Sequence, residues 1–181
     1  MSTPQTQFDA LVQAYHALLY RYALWLCGNA AQSEDLVQET FLRAWKSLHR
    51  LREPAAAKAW LLTILRREFL RGTRRRCVVT RSLDTLDANH TALMDTRPAL
   101  VDELSDRSRL HTALLRLPLE QREPLLLQIL GGYRCEEIAA ELGVSSGAIM
   151  TRLSRARLRL RQLLADEHDI GTNPATDKGV V

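Results

Sequence analysis

Glu136 to Leu160 reads EEIAAELGVSSGAIMTRLSRARLRL. Two helices that cross at a tight turn need a small residue where they touch, and Ala139 stands at that place. The turn needs a backbone with positive φ, which Gly143 supplies at little cost. Ser145 or Ser146 then caps the second helix. Ile138, Leu142, Ile149 and Leu153 recur on one face and form a shared core. The other face of the second helix carries Ser146, Met150, Thr151, Ser154 and Arg155, with Arg152, Arg157, Arg159 and Arg161 beside or beyond it. The pattern is that of a helix-turn-helix. Its second helix suits the major groove of DNA, with base edges at its N-terminal residues and phosphates at its arginines. An ordinary helical hairpin would not need the small residue, the glycine and the cap to coincide with a basic face.

Working outward, the chain has 181 residues, which allows one ordinary domain or two small ones. Hydrophobic residues are 46% and aromatics only 6%, with 8 Gly and 6 Pro, a balance that favours helices over a sandwich or barrel. The net charge is +4 and the pI about 9.2, but placement matters more than the total. Residues 66–81 hold seven Arg against Glu68, and residues 152–161 hold five Arg and no acid. Residues 82–106 between them hold six acids and one Arg. Two basic blocks around an acidic spacer point to two contacts with a polyanion. Cys27, Cys77 and Cys135 are too far apart for a metal pair and too few for a disulfide framework, and read as small apolar residues. The N-terminus lacks a secretory pattern and no apolar run approaches a membrane span, so a cytoplasmic location is expected.

Phe8 to Cys27 has Phe8, Leu11, Val12, Tyr15, Leu18, Leu19, Tyr22 and Leu26 at helical spacing, with a stop at Gly28-Asn29. Ser33 is the expected N-cap of a second helix to about Leu48, its core face Val37, Phe41, Ala44, Trp45 and Leu48. A loop from His49 to Ala56 precedes a third helix, Ala57 to Arg75, with Leu61, Leu62, Leu65 and Phe69 inward. The fold expected is all-α: two small helical domains, 8–76 and 108–166, joined by a flexible acidic linker at 77–107 and followed by a disordered tail at 167–181. In the second domain Leu110, Leu114 and Leu117 lead to Pro118. A further helix carries Leu125, Leu126, Ile129 and Leu130 to Gly131-Gly132, and two short helices follow. Pro124 lies inside that further helix, where it should remove a hydrogen bond and kink or shorten it.

Two motifs extend this reading. SEDLVQETFLRAW (Ser33 to Trp45), followed by AWLLTILRREFLRGTRRR (Ala59 to Arg76), resembles conserved region 2 of bacterial sigma factors. Leu117 to Leu164, which contains the helix-turn-helix, resembles region 4. In this order and with this spacer, the chain resembles a sigma factor of the extracytoplasmic-function group from Phe8 to Leu164. The resemblance implies a non-enzymatic subunit that directs RNA polymerase to promoters. It implies that the stripe Asp35, Gln38, Glu39 and Leu42 docks on the β′ clamp of core polymerase, with a further contact to the β flap. It implies that the loop from His49 to Ala57 forms a pocket for a flipped base of the −10 element, and that Arg66, Arg67, Arg71 and Arg74 hold the separated strand. Trp60 is expected in the core. Ser146, Met150, Thr151, Arg152, Ser154 and Arg155 match the family's −35 readers, and Arg155 can read a guanine. Met150 stands where the family commonly has Lys or Arg, and can meet a thymine methyl but donates no hydrogen bond. The acidic spacer would thread toward the polymerase cleft. Arg134 replaces the usual cap before Glu136, and Cys135 an aromatic. An anti-sigma factor, often membrane-anchored in this family, is the expected regulator. No cofactor, metal or small-molecule substrate is implied.

Two other functions compete. A free-standing helix-turn-helix regulator would bind duplex DNA alone, as a dimer at a palindrome, but would not need the first motif. A helical nucleic-acid enzyme would need clustered carboxylates or histidines. His16, His49, His90, His111 and His168 are scattered, and the pairs Glu34-Asp35 and Glu136-Glu137 suit helix first turns.

Overall fold

The computed structural model of the chain describes residues 3–81 and 103–170, with side chains over 3–73 and 108–165. The described residues are mostly helical, with short turns between the helices and no strand, as the composition predicts. Helix α1 (Pro4–Cys27) starts with Pro4 in the first turn and the Thr3 side chain accepting from the Thr6 amide. Leu11, Leu19, Tyr22, Ala23 and Leu26 are buried along its inner face. It ends at Gly28, whose φ of 75° lets its N–H reach back to the Leu24 carbonyl at 2.8 Å.

Helix α2 (Ala30–Lys46) begins earlier than the sequence predicts. Asn29 is the cap, its Oδ1 accepting from the Gln32 amide at 2.9 Å. Ser33 sits inside the helix, fully buried, and donates to the Asn29 carbonyl at 2.6 Å. A buried hydroxyl satisfied by the preceding turn is a core residue and not a cap. Val37, Phe41, Ala44 and Leu48 are buried as expected, whereas Trp45 is 42% exposed, held edge-on against Phe8 at 5.0 Å. Two 3-10 turns (Leu48–Arg50 and Pro54–Ala56) form the expected loop. Helix α3 (Ala57–Arg81) runs five residues past the expected first-domain end, burying Leu61, Leu62 and Leu65 against α1 and α2. Trp60 is partly buried against the same core. Of the linker expected at 77–107, residues 77–81 and 103–107 are helical, and 82–102 lie outside the described residues.

Helix α4 (Glu103–Leu115) and α5 (Leu119–Leu126) meet at Pro118. Pro124 neither breaks nor stops the chain of turns. It is buried in α5, and the next turn, Leu127–Gly131, widens to a π-helical one. The missing proline N–H costs one bond to the turn before it, near the start of α5, and the Leu127 amide beyond it still reaches the Glu123 carbonyl. Gly132, at φ 78°, ends that turn. Helix α6 (Cys135–Leu142) has Arg134 at its cap position. Glu137 does the capping instead, accepting from the Arg134 amide at 2.7 Å. Helix α7 (Ser146–Ile170) is one long helix and not a short one, and it carries the start of the expected tail; 171–181 lie outside the described residues.

Gly28 and Gly143 both hold positive φ, at 75° and 68°, but differ in surroundings. A Cβ at Gly143 meets nothing within 4 Å, so Gly143→Ala should cost only backbone strain, about 1 kcal/mol. A Cβ at Gly28 would stand 2.9 Å from Leu115 Cδ1 of the second helical module. Gly28→Ala should therefore cost the same strain plus about 1 kcal/mol more, because the Leu115 methyl groups at the end of that side chain must shift. Urea denaturation of both variants checks the order; equal losses would show that Leu115 does not press on that turn.

Candidate functional site

Three surfaces carry the residues that the sequence singles out. The first is the outer face of α2. Asp35 and Gln38 are exposed, Glu39 half-buried, and Leu42 55% exposed, so the stripe faces solvent with an apolar residue in it. Beside it runs a chain of charges that the sequence reading missed. Glu39 pairs with Arg43 at 2.8 Å, Arg43 approaches Glu68 of α3 at 3.5 Å, and Glu68 accepts from Arg71 at 2.7 Å. The Glu39–Arg43 spacing of four and the Glu68–Arg71 spacing of three were visible as helix pairs; the link from Arg43 to Glu68 between helices was not. A groove of about 600 Å³ lies between α2 and α3, lined by Asp35, Leu36, Glu39, Arg43, Phe69 and Arg71 among others.

The second surface lies around the other side of Arg43. Lys46, His49, Arg50, Arg67 and Arg71 surround a groove of about 300 Å³ floored by Ile64. Exposed Arg67 and Arg71 are thus brought together with the loop that follows α2. Of the other two arginines expected there, one turns elsewhere and one is not described. The side chain of Arg74 lies outside the described residues. Arg66 turns the other way: its side chain is 15% exposed and donates to Glu123 of α5 at 2.7 Å, with Glu141 of α6 at 3.7 Å. A guanidinium so engaged cannot at the same time hold a phosphate. Sequence alone gave no means of finding this, because the partners lie 57 and more residues away.

The third surface is the start of α7. Ser145 caps the helix, its Oγ accepting from the Ala148 amide at 3.2 Å, and Ser146 is half-buried behind it. Ile138, Ile149 and Leu153 are buried, Ala139 is 6% exposed at the crossing, and Leu142 is half-buried. That core turns Met150, Thr151, Ser154 and Arg155 outward on consecutive turns. Met150 is 57% exposed, and the Thr151 hydroxyl donates to the Gly147 carbonyl at 2.9 Å. Arg152 lies at the edge of this face, 3.8 Å from exposed Glu120. A solvent-exposed pair at that distance is worth little and leaves the arginine available.

The two helical modules meet along α1 and α5, and a single apolar cluster runs through both, from Leu19 and Leu26 to Leu117, Leu126 and Ile138. Polar ties cross the same junction. Tyr133 donates through its hydroxyl to the Ala59 carbonyl at 3.1 Å, and His111 donates through Nε2 to the Leu24 carbonyl at 3.2 Å. Tyr22 is fully buried beside Arg66 and Glu123, and its hydroxyl has no partner. Burial, reinforced by the Glu123 charge, pushes that hydroxyl well above the usual tyrosine range, so it stays neutral. Burial also raises Tyr133, and lowers the Arg122 guanidinium near Cys27. Among the described residues no group of His, Cys, Asp and Glu could hold a metal, and no helix is long and apolar enough to cross a membrane.

Comparison with known proteins agrees with this layout. Residues 11–77 match the family model described as Sigma-70 region 2, and residues 107–160 match Sigma-70, region 4. The chain is 36% identical over 146 residues to the ECF RNA polymerase sigma factor EcfG of Rhodopseudomonas palustris, covering 81% of this chain and 78% of that protein. It is 35% identical over 158 residues to the ECF sigma factor SigL of Mycobacterium tuberculosis, covering 87% and 88%. Among solved structures, it is similar to the sigma factor RpoE in complex with the anti-sigma factor NepR from Bartonella quintana. The TM-score there is 0.72 at 31% identity, over 88% of this chain and 97% of that one. It is also similar to CnrH in complex with the cytosolic domain of CnrY, with a TM-score of 0.60 at 27% identity over 90% of each.

Proposed function

Because the chain belongs to the extracytoplasmic-function sigma factors, we infer that it binds core RNA polymerase and directs it to a particular set of promoters. One observation carries this reading beyond the family. The exposed stripe on α2, the basic groove beside α3 and the outward face of α7 are three separate surfaces, each with the chemistry its task needs. Asp35, Gln38, Glu39 and Leu42 form the surface for the β′ clamp: polar, acidic and apolar at one point. A contact to the β flap is proposed for the second module. The first module is taken as 8–76 and the second as 108–166. Arg67 and Arg71, with His49 and Arg50 at the groove, take the opened −10 strand through its phosphates and unstacked bases. Arg74 and, once freed, Arg66 extend that surface.

Met150, Thr151, Ser154 and Arg155 face the −35 bases, with Ser146 and Arg152 at the margin toward the backbone. The chain brings no chemistry of its own; bond formation belongs to the polymerase, and no cofactor is required. It works in the cytoplasm, where polymerase and chromosome are. An anti-sigma factor restrains it, as the partners of the similar solved structures suggest.

In vitro transcription tests the reading. Purified chain and core polymerase, incubated with genomic fragments, should yield transcripts from a defined set of start sites. A mixture that starts nowhere in particular would overturn it. In the same assay Arg155→Ala should lower discrimination at one base pair of the −35 element by about 1–3 kcal/mol. An equal loss on every sequence would make Arg155 a phosphate contact.

A further inference from the structure

Among residues 66–81, seven arginines accompany one acid, Glu68. The structure gives that acid a particular place. Its side chain is 11% exposed, yet both of its partners stand largely in water, Arg43 at 48% and Arg71 at 58%. One oxygen, Oε1, accepts from Arg71 at 2.7 Å and faces Arg43 Nε at 3.5 Å. Arg71 stands one turn further along α3, and Arg43 belongs to α2, so a single carboxylate ties guanidiniums from two helices. Arg43, Glu68 and Arg71 line both grooves of the first module and form the ridge between them. On one side of the ridge lie Asp35 and Glu39 of the exposed stripe, on the other the basic groove.

The basic groove gathers Arg43, Lys46, Arg50, Arg67 and Arg71 around one small opening. Such cations repel one another, and an arginine side chain in water samples many rotamers. A carboxylate that is itself held by helix packing removes much of that freedom from its partner. Arg71 engages Glu68 through one nitrogen, Nη1, and keeps the rest of its fork for a phosphate. Arg66 differs, because acids close on it from two sides and leave it little exposed.

We propose that Glu68 is a positioning residue for promoter opening: it fixes the Arg71 guanidinium at the rim of the basic groove, so that the separated −10 strand meets a cation already in place. The role rests on the function proposed above, through the assignment of Arg71 to that strand. Glu68 itself holds no DNA. As an anion it repels phosphate, and its contribution comes through Arg71. Charge and position therefore act in opposite directions at this residue. Removing the charge should strengthen the undirected attraction of a polyanion and weaken the directed grip on one strand.

Glu68→Gln separates the two. It keeps the shape of the side chain, and both partners return to water, so helix content and urea midpoint should stay close to wild type. The free Glu68→Gln chain should bind a fluorescein-labelled fifteen-nucleotide oligothymidine about twofold more tightly, since one repelling charge is gone. With core polymerase bound, opening of the strongest promoter from the transcription assay is read by permanganate reactivity of its −10 thymines. That opening should fall about tenfold, the scale of one charge-assisted hydrogen bond held in register. Arg71→Gln should lower opening as much, and adding Glu68→Gln to it should lower opening no further. Losses that multiply would show that Glu68 acts other than through Arg71, and a gain in both assays would make it a repelling charge alone; either overturns the proposal. A fall in both assays with a lower urea midpoint would make Glu68 a residue of the fold alone, and overturns it too. Heteronuclear NMR of the Arg71 Nε–H gives a test without DNA: its nuclear Overhauser effect should be that of an ordered group in the wild type and of a mobile one in Glu68→Gln. Equal mobility in both chains would overturn the positioning. If the wild-type chain gave no promoter-specific transcripts, the proposed function would fall and take the DNA role with it, while the NMR signal would still decide whether Glu68 holds Arg71.

Discussion

Asp35→Lys combined with Glu39→Lys is expected to weaken binding to core RNA polymerase by about 100-fold or more while leaving helix content unchanged. Both residues lie on the outer face of α2, Asp35 exposed and Glu39 half-buried, and neither belongs to the core. The fold should therefore lose little. The tie at risk is the Glu39–Arg43 pair at 2.8 Å, and its two side chains are 43% and 48% exposed. An exposed helix pair of that kind is worth about 0.3–0.5 kcal/mol. Binding is another matter. Placing cations where a partner surface expects anions costs several kcal/mol, and about 2.8 kcal/mol is a hundredfold. Titration of labelled chain with core polymerase reads the loss, and circular dichroism reads the fold. Polymerase binding that survives the double reversal at wild-type strength would remove this stripe from the interface. Leu42→Ala offers an independent check, since an apolar residue exposed at 55% in the same stripe contributes through burial and not through charge.

The two modules were not equally legible in the sequence. The helix-turn-helix was readable almost position by position because its determinants are local. Ala139, Gly143, Ser145, Ile138 and Ile149 act within one or two turns of one another, and the structure gives each the expected part. The first module was readable in its core stripes but not at its boundaries. Ser33 and Asn29 are both good caps by type. Only the packing of α2 on α1 shows that the Ser33 hydroxyl is buried, which leaves Asn29 to start the helix. Trp45 has the spacing of a core residue, yet its large ring lies at the rim and packs edge-on against Phe8. Pro124 was expected to kink or shorten α5, yet the helix runs through it and on into a wider turn. Arg66 is the instructive miss. Its neighbours in sequence are other arginines, so a basic patch was the natural reading. Its neighbours in space are acids from helices that no local pattern connects to it.

Ile149→Ala and Met150→Ala, adjacent in the chain, should have opposite consequences. Ile149 is fully buried in the cluster shared with Ile138 and Leu153, whereas Met150 is 57% exposed on the far side of α7. Truncating a buried isoleucine to alanine costs about 2–5 kcal/mol, from lost transfer energy and the cavity left behind. A helical module of this size has a total stability of only about 3–9 kcal/mol. Ile149→Ala should therefore lower the urea midpoint of the second module by on the order of 1–2 M, and should leave part of it unfolded at 37 °C. Met150→Ala removes a side chain that stands mostly in water, so it should change stability by no more than about 0.5 kcal/mol. Its effect belongs in promoter choice, where the lost thioether would show as weaker preference at a base pair carrying a thymine methyl. Urea titrations followed at 222 nm, run beside the transcription assay, separate the two losses. If both substitutions moved the midpoint equally, α7 would be rotated from the orientation that sets its DNA-facing side, and the assignment of Thr151, Ser154 and Arg155 would fall with it.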